Sequence, residues 1–314
     1  MNQKVFKTLE YTKIKALLAD YASSPKGKAL CEALEPVTSL KYLSKEQKET
    51  SDALSRLWHS GSLSFSGTKD IGASIKRLEV GSTLSQTELL DVSKVLDTAL
   101  RVKTFGRREG DEERTDSLTE YFNSIEPLSP INNEIKRCII SEEELADDAS
   151  STLHSIRRSI RNTNDKIRSQ LNSMVNSQTM RNNLRDFVIT MRNGRYCLPV
   201  KSDCKGNVPG MMHDQSSTGS TLFIEPMAVV QMNNELRELA GKEKEEIERI
   251  LAELSALVGE KTEELKNNLE VLTHLDFVFA KAAMSKDMKG TEPIFNDHGI
   301  IKIKHGRHPL LDTK

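Results

Sequence analysis

The chain has 314 residues, of which 29% are charged, 37% hydrophobic and 5% aromatic, and its formal net charge is −1. This composition favours an elongated, helix-rich protein of roughly two domains over one compact globule. The near-neutral charge excludes a global basic field for nucleic acid, and the lack of any apolar run of membrane-spanning length excludes a transmembrane segment. The N-terminus carries no signal peptide, and the four cysteines lack CxxC spacing, so we expect a cytoplasmic protein with reduced thiols and no metal.

Residues 1–140 have the helical spacing of an all-α core domain. Ser24 followed by Pro25 predicts a capped helix start, and Ser85 with Glu88 predicts a capping box before the most regular helix of this half. We find no catalytic spacing here and expect no enzymatic activity from this chain.

The segment from Asp186 to Pro226 is the one part of the chain that has the pattern of a sheet. Two alternating runs flank Asn193-Gly194, the pair that most strongly indicates a tight hairpin, since both residues accept positive φ. Two further short strands follow, joined by a polar loop. A module this small has little core of its own, so we expect it to be carried by its neighbours.

Both neighbouring stretches keep apolar residues three or four apart, from Leu145 to Met174 and from Leu236 to Leu272. Proline interrupts neither run, so each predicts a helix of about 40 residues, ~60 Å long. Because the β-segment joins them, we expect an antiparallel coiled coil.

Charge separates these two predicted arms, since residues 157–185 are strongly basic and residues 235–264 strongly acidic. The basic arm could bind phosphate, or it could pair with the acidic arm and fix its orientation. The pairing interpretation is favoured for most of these residues. Arg181 and Arg185, nearest the β-segment, are the expected exceptions.

The β-segment itself offers cations and hydroxyls suited to phosphate. One alternative is that the hydroxyls satisfy their own backbone in a turn. A hydrolase triad of His213, Asp214 and Ser216 is disfavoured because adjacent residues seldom reach relay geometry. The nucleic-acid-binding candidates are Arg181, Arg185, Arg192, Arg195, Lys201, Lys205, His213, Ser216, Ser217 and Thr218.

Several short motifs of this segment and its surroundings occur together. They are Arg192-Asn193-Gly194-Arg195-Tyr196, Leu198-Pro199-Val200-Lys201, Val208-Pro209-Gly210, His213-Asp214-Gln215-Ser216-Ser217, Phe223-Ile224-Glu225-Pro226, Asn233-Asn234-Glu235-Leu236-Arg237 and Gly306-Arg307-His308-Pro309-Leu310-Leu311. This set resembles the second bacterial MutS family, the Smr-carrying paralogue of the mismatch-repair protein MutS. The resemblance extends over essentially the whole chain.

The resemblance implies a mainly α fold in which a helical bundle bears a long antiparallel coiled-coil lever with a small β-rich clamp. The implied domains are a helical core at 1–140, an outgoing lever helix at 141–186, a clamp at 187–226, a returning lever helix at 227–268, core completion at 269–296 and the truncated start of an ATPase domain at 297–314.

By the same resemblance, the parent protein is a homodimeric ATPase and endonuclease, and this chain is a monomeric fragment without cofactor, since ATP and Mg²⁺ belong to the missing part. The implied partners are branched or double-stranded DNA, or ribosomal RNA on the ribosome, in suppression of recombination or rescue of collided ribosomes. The alternative is a mechanical lever that contacts ribosomal proteins or the partner subunit.

Overall fold

The computed structural model describes residues 3–107 and 115–311. By the density of its internal contacts, the chain divides into two compact units. The first unit comprises Met1–Glu144 and Leu251–Lys314, and the second comprises Leu145–Ile250. The assignment of core, lever, clamp and ATPase roles to segments stays a prediction, and residues 312–314 of the expected ATPase start lie outside the described residues.

Helices make up most of the described chain, which confirms the mainly α fold class with a small β module. In chain order the α-helices are α1 Gln3–Thr8, α2 Tyr11–Tyr21, α3 Pro25–Ala33, α4 Leu40–Ser60, α5 Gly72–Glu79, α6 Gln86–Gly106, α7 Thr119–Ser124, α8 Ser129–Cys138, α9 Ser151–Asn176, α10 Gln178–Arg181, α11 Met227–Gly259 and α12 Thr262–Asp287. Two 3₁₀ turns occupy Asp147–Ala149 and Ser202–Asn207. The strands are β1 Thr190–Arg192, β2 Arg195–Lys201, β3 Gly210–Gln215 and β4 Thr221–Pro226.

The first unit is organised around α12, which packs against α2 to α7. The ring centroid of Phe279 on α12 lies 5.9 Å from Phe65, 5.8 Å from Phe105 and 6.3 Å from Phe122. These offset and edge-on arrangements are the ones that aromatic rings prefer in cores. The buried aromatic cluster therefore joins the C-terminal helix of this unit to its N-terminal helices.

A buried ion pair lies beside this aromatic cluster. Arg56 Nε on α4 donates to Asp116 Oδ2 at 2.8 Å, and the two side chains are 4% and 8% exposed. The guanidinium carbon of Arg56 lies 4.6 Å from the ring centroid of Phe122. The pair thus fixes α4 to the segment that precedes α7.

Two predicted helix starts are confirmed in this unit. The Ser24 side chain accepts a hydrogen bond from Gly27 N, with Pro25 at the first helical position of α3. At α6, Ser85 and Glu88 form the reciprocal capping box. Short-range sequence signals set both ends because the capping bonds form within one turn of helix.

The second unit contains a four-stranded antiparallel sheet with the order β1-β2-β4-β3. The predicted hairpin turn is confirmed, since Asn193 and Gly194 have φ of 52° and 73°. A β-bulge lies between Met212 and Asp214 of β3. Asn193 Nδ2 donates to the His213 carbonyl oxygen at 3.1 Å, so the turn after β1 contacts β3.

One face of the sheet shares its core with α9 and α11. Leu198, Val200 and Ile224 from the sheet form a buried cluster with Leu171 of α9 and Val229 of α11. The β module therefore does not rely on its own side chains alone for burial. The two helices run antiparallel, because Ser150 contacts Glu246 at one end of the pair and Arg157 contacts Glu243 further along.

The helix expected over 141–186 is shorter in the structure. α9 begins after Ser150, whose side chain accepts a hydrogen bond from Leu153 N, and it ends at Asn176. At a rise of 1.5 Å per residue, it is ~40 Å long. The chain leaves the helix at Ser177, which has extended backbone angles of φ −71° and ψ 129°. This change of direction allows Leu184 to bridge to Val200 of β2 and to be buried in the same cluster.

The returning helix also differs from the expected span of 227–268. α11 ends at Gly259, and α12 begins at Thr262 after the irregular residue Lys261. Residues 297–311 form no helix or strand and are largely exposed. Among the helices of the described residues, none has both the length and the apolar character needed to cross a bilayer.

Candidate nucleic-acid interface

The structure distributes the candidate residues over three places in the second unit. We call the first the basic end, formed by Arg181, Arg185, Lys201 and Lys205. The second is the hydroxyl loop, residues 216–220, between β3 and β4. The third is the Glu225 cluster, formed by Arg195, His213, Glu225 and Asn233.

The Glu225 cluster surrounds a carboxylate that is 0% exposed. Arg195 Nη1 donates to both oxygens of Glu225, at 2.8 and 3.1 Å, and Asn233 Nδ2 donates to Oε1 at 2.8 Å. His213 Nε2 lies 2.5 Å from Oε2. Because a buried carboxylate requires partners of this kind, Arg195 and His213 have a structural role here. Their predicted contact with nucleic acid stays a prediction.

Arg192 lies on the outer face of the sheet. Its guanidinium carbon is 4.0 Å from the ring centroid of Phe223, and Nε is 3.2 Å from Asp214 Oδ2. The side chain remains 38% exposed. Arg192 is thus held in one position with part of its guanidinium open to solvent.

The basic end brings together cations from two segments that are separated in the sequence. Lys201 Nζ donates to the Asn182 carbonyl at 2.9 Å, next to Arg181, and Arg185 N donates to the Pro199 carbonyl at 2.8 Å. Arg181 and Arg185 are exposed. The irregular segment after α10 pairs with the end of β2, and this pairing brings cations from both segments together.

Lys205 belongs to the basic end through the 3₁₀ turn Ser202–Asn207. Asn207 Nδ2 in this turn donates to Asn183 Oδ1 at 3.0 Å, and the Lys205 side chain is exposed. All four cations therefore lie around the point where β2 ends.

The hydroxyl loop lies beside the basic end, since Ser202 N donates to the Ser220 carbonyl at 3.2 Å. The alternative of a self-satisfied turn holds for part of the loop. Ser216 Oγ accepts from Thr221 N at 3.1 Å, and the Thr218 and Ser220 hydroxyl oxygens are 2.9 Å apart. Ser217 and Thr218 are exposed.

The basic residues of α9 behave differently from the pairing interpretation. Within residues 3–107 and 115–311, Arg157 is the one cation of α9 that forms a salt bridge with α11, at 2.7 Å from Glu243. Arg161 pairs instead with Asp147, at 2.9 Å. Exposed cations of α9 are Arg158, Arg161, Lys166 and Arg168. Pairing between arms therefore explains Arg157 and leaves a positive outer surface on α9.

Cys197 is fully buried in β2. Burial, with the Glu225 charge nearby, raises the pKa of the Cys197 thiol to about 11. The thiol is therefore protonated at neutral pH, as in a structural cysteine.

Sequence reasoning missed two features of the second unit. Glu225 was named as part of a family motif; in β4 it lies on the same face as Phe223, opposite Leu222 and Ile224 of the buried cluster, so strand alternation gave no signal that it is buried. Phe187 was not singled out; it is 53% exposed, and Arg181 stacks over its ring at 4.9 Å. No local sequence pattern marked it.

A pH-dependent contact joins the start of α9 to α11. Hydrogen bonds from Arg249 and Ser150 lower the pKa of Glu246 to about 2. Since the folded pKa lies below the unfolded one, this contact stabilises the folded state above about pH 4.5, and its contribution is lost as pH falls towards 2. Arg249 is 48% exposed, so solvent screening limits the contribution to about 1 kcal/mol.

We therefore expect Glu246→Gln to lower the free energy of unfolding at pH 7 by about 1 kcal/mol and to have little effect at pH 2.5. Urea denaturation at both pH values measures the difference. Glu248→Gln is the matched control, because its carboxylate is 66% exposed and lies 3.9 Å from Lys244. An equal loss for Glu246→Gln at both pH values would contradict the linkage.

The fold and the interface together define a class: a mainly α protein in which an antiparallel helix pair holds a small sheet with an exposed basic end. Comparison with family models gives no match. Comparison with curated proteins gives proteins named Endonuclease MutS2. The identity is 55% to the protein of Agathobacter rectalis, 54% to that of Lachnoclostridium phytofermentans and 50% to that of Lachnospira eligens.

Each of these alignments covers 100% of this chain. The chain belongs to the MutS2 family, the second bacterial MutS family. It spans about 40% of the length of these relatives. The family resemblance seen in the β-segment motifs is thereby confirmed.

Proposed function

We propose that this part of a MutS2 protein binds the phosphate backbone of nucleic acid without sequence preference, through the basic end and the hydroxyl loop. The observation that carries the proposal is the convergence at the end of β2. There, Lys201 contacts the backbone beside Arg181, and Ser202 contacts Ser220 of the hydroxyl loop. Arginine, lysine, hydroxyl and backbone N–H groups are the usual partners of phosphate oxygens.

The arrangement suits positioning on a backbone better than reading of bases. Reading a duplex requires a helix or ribbon that enters the major groove with side chains on base edges. The basic end instead offers short irregular segments, and part of the hydroxyl loop is engaged with its own turn. The exposed cations of α9 add positive charge to the same unit.

The relatives' name, Endonuclease MutS2, supports a wider proposal for the whole protein. We propose an ATPase and endonuclease parent that acts as a homodimer with ATP and Mg²⁺, outside the residues described above. In that parent, residues 187–226 of the second unit are the clamp that holds branched or double-stranded DNA, or ribosomal RNA, during suppression of recombination or rescue of collided ribosomes.

The proposal predicts a steep dependence of binding on salt. Arg181→Ala, Arg185→Ala and Lys201→Ala combined should weaken binding to duplex DNA by at least about tenfold at 0.1 M salt. They should also reduce the slope of log K against log[salt] by about 2 to 3, since each phosphate contact contributes about 0.9. Fluorescence anisotropy with a labelled duplex, a branched junction and a ribosomal RNA hairpin measures both quantities.

The matched control is Arg237→Ala, Lys242→Ala and Lys244→Ala combined, which removes the same charge from exposed positions of α11. We expect this variant to keep the wild-type slope within about 1. Equal losses for both triple variants would assign binding to overall charge. Binding of ribosomal proteins with no affinity for any of the three nucleic acids would favour the mechanical lever.

A further inference from the structure

The segment between α10 and β1 contains a bulge that expels an aromatic side chain. This segment pairs with β2 at both ends, through Leu184 with Val200 and Thr190 with Cys197. Between these two pairs, β2 advances by three residues and the segment advances by six. Three residues of the segment therefore have no partner on β2. Bulges of this kind redirect side chains and are common beside binding sites.

Both ends of the bulge are fixed in the core while its middle is open. Leu184 is 2% exposed, and Ile189 packs against the same buried cluster. Phe187 and Val188 between them are 53% and 52% exposed. Single exposed apolar residues are ordinary on protein surfaces. Phe187 and Val188 are adjacent, and the bulge that exposes them is anchored at both ends. They therefore form a preorganised apolar projection.

The surroundings of this projection are cationic. The Arg181 guanidinium lies 4.9 Å from the centroid of the Phe187 ring, and Arg185 precedes Phe187 by two residues. Asp186 is the single acid in the sequence 181–192. An aromatic ring beside a guanidinium plane is the combination on which unstacked bases of single-stranded nucleic acid stack.

We propose that the 186–189 bulge is a stacking platform for an unpaired base. Phe187 contacts the face of the base, while Arg181 and Arg185 contact the phosphates on either side. The inference rests on the proposed function and specifies its ligand as nucleic acid that presents an unpaired nucleotide, such as a bulge, gap or loop. A uniform duplex lacks such a base and uses the basic end alone.

The test compares two otherwise identical duplexes, one of which carries a single unpaired 2-aminopurine. We expect the 314-residue chain to bind the duplex with the unpaired base more tightly, by about five- to a hundredfold, the factor that stacking on an aromatic side chain usually contributes. Stacking should also quench the 2-aminopurine fluorescence on binding.

Phe187→Leu should abolish the preference and the quenching while leaving affinity for the paired duplex unchanged, and Phe187→Tyr should retain both. Met191→Leu is the control, because Met191 is equally exposed, at 51%, on the neighbouring strand β1. Since Phe187 is half exposed, its replacement is expected to leave the fold intact, which circular dichroism verifies.

The outcomes separate this inference from the proposed function. Salt-dependent binding of both duplexes with equal affinity, or a preference that survives in Phe187→Leu, overturns the stacking platform and leaves phosphate binding standing. Binding of neither duplex overturns both. Self-association in sedimentation that Phe187→Leu abolishes would assign the bulge to contact between copies and overturn the inference.

Discussion

Replacing Glu225 with alanine should lower the free energy of unfolding by about 3 kcal/mol. Removal of one member of a buried ion pair leaves its partner uncompensated and typically costs about 3–5 kcal/mol. We expect the lower end of that range because Arg195 and His213 are each 17% exposed and can regain some hydration. Urea denaturation followed by circular dichroism measures the loss.

Asp214→Ala serves as the comparison for Glu225→Ala. Asp214 also pairs with an arginine, but its side chain is 48% exposed, so its removal should cost less than about 1 kcal/mol. Similar losses for the two variants would mean that Glu225 is not the centre of the cluster. Arg195 and His213 would then not be held by Glu225 and could make the predicted contact with nucleic acid.

Replacing Arg56 with alanine should cost about 3–5 kcal/mol, the full range for a broken buried pair. Asp116 is only 8% exposed, so it has little access to water once Arg56 is removed. The packing of the guanidinium over Phe122 is lost as well. Thermal unfolding monitored by calorimetry measures the effect.

The two substitutions also test the division of the chain, because Arg56 lies in the first unit and Glu225 in the second. If the units unfold in separate steps, each variant should shift one step. Arg56→Met, which keeps apolar contact with Phe122, separates loss of charge from loss of packing. A loss below about 1 kcal/mol for Arg56→Ala would contradict a buried pair of this importance.

Local chemistry explains which parts of the fold were predictable from the sequence. Asn193-Gly194 specified its turn because positive φ at both residues is rare outside such pairs. Ser24 and Ser85 specified helix starts because their capping bonds reach only three residues along the chain. Each of these signals is complete within a few positions.

Long-range packing explains what was not predictable. The apolar periodicity ended at Met174 with no proline or glycine to mark a stop, and the expected span of the outgoing helix ran on to residue 186, where the structure has an exit towards the sheet. That exit depends on the burial of Leu184 with β2 residues distant in sequence. The engagement of Arg195 with Glu225 depends on strand pairing and on Asn233 of α11 in the same way.

The sequence therefore predicted which cations and hydroxyl groups belong to the candidate site, but not how they are arranged or which of them are exposed. Sequence reasoning treated Arg192, Arg195, Lys201 and Lys205 as equivalent. The structure separates them, since Arg195 is bound to a buried carboxylate while Lys205 is exposed. Their difference arises because Arg195 lies in β2 beside β4, whereas Lys205 lies in the 3₁₀ turn after β2.

The irregularity of β3 at His213 restricts how that strand can move. The extra residue fits one alignment only, because a slip along β4 would carry it into a regular pair and would separate His213 from the buried Glu225 carboxylate. Tension along β3 is therefore opposed by a geometric stop as well as by hydrogen bonds. An edge strand that is held in a single register is suited to resist sliding under tension.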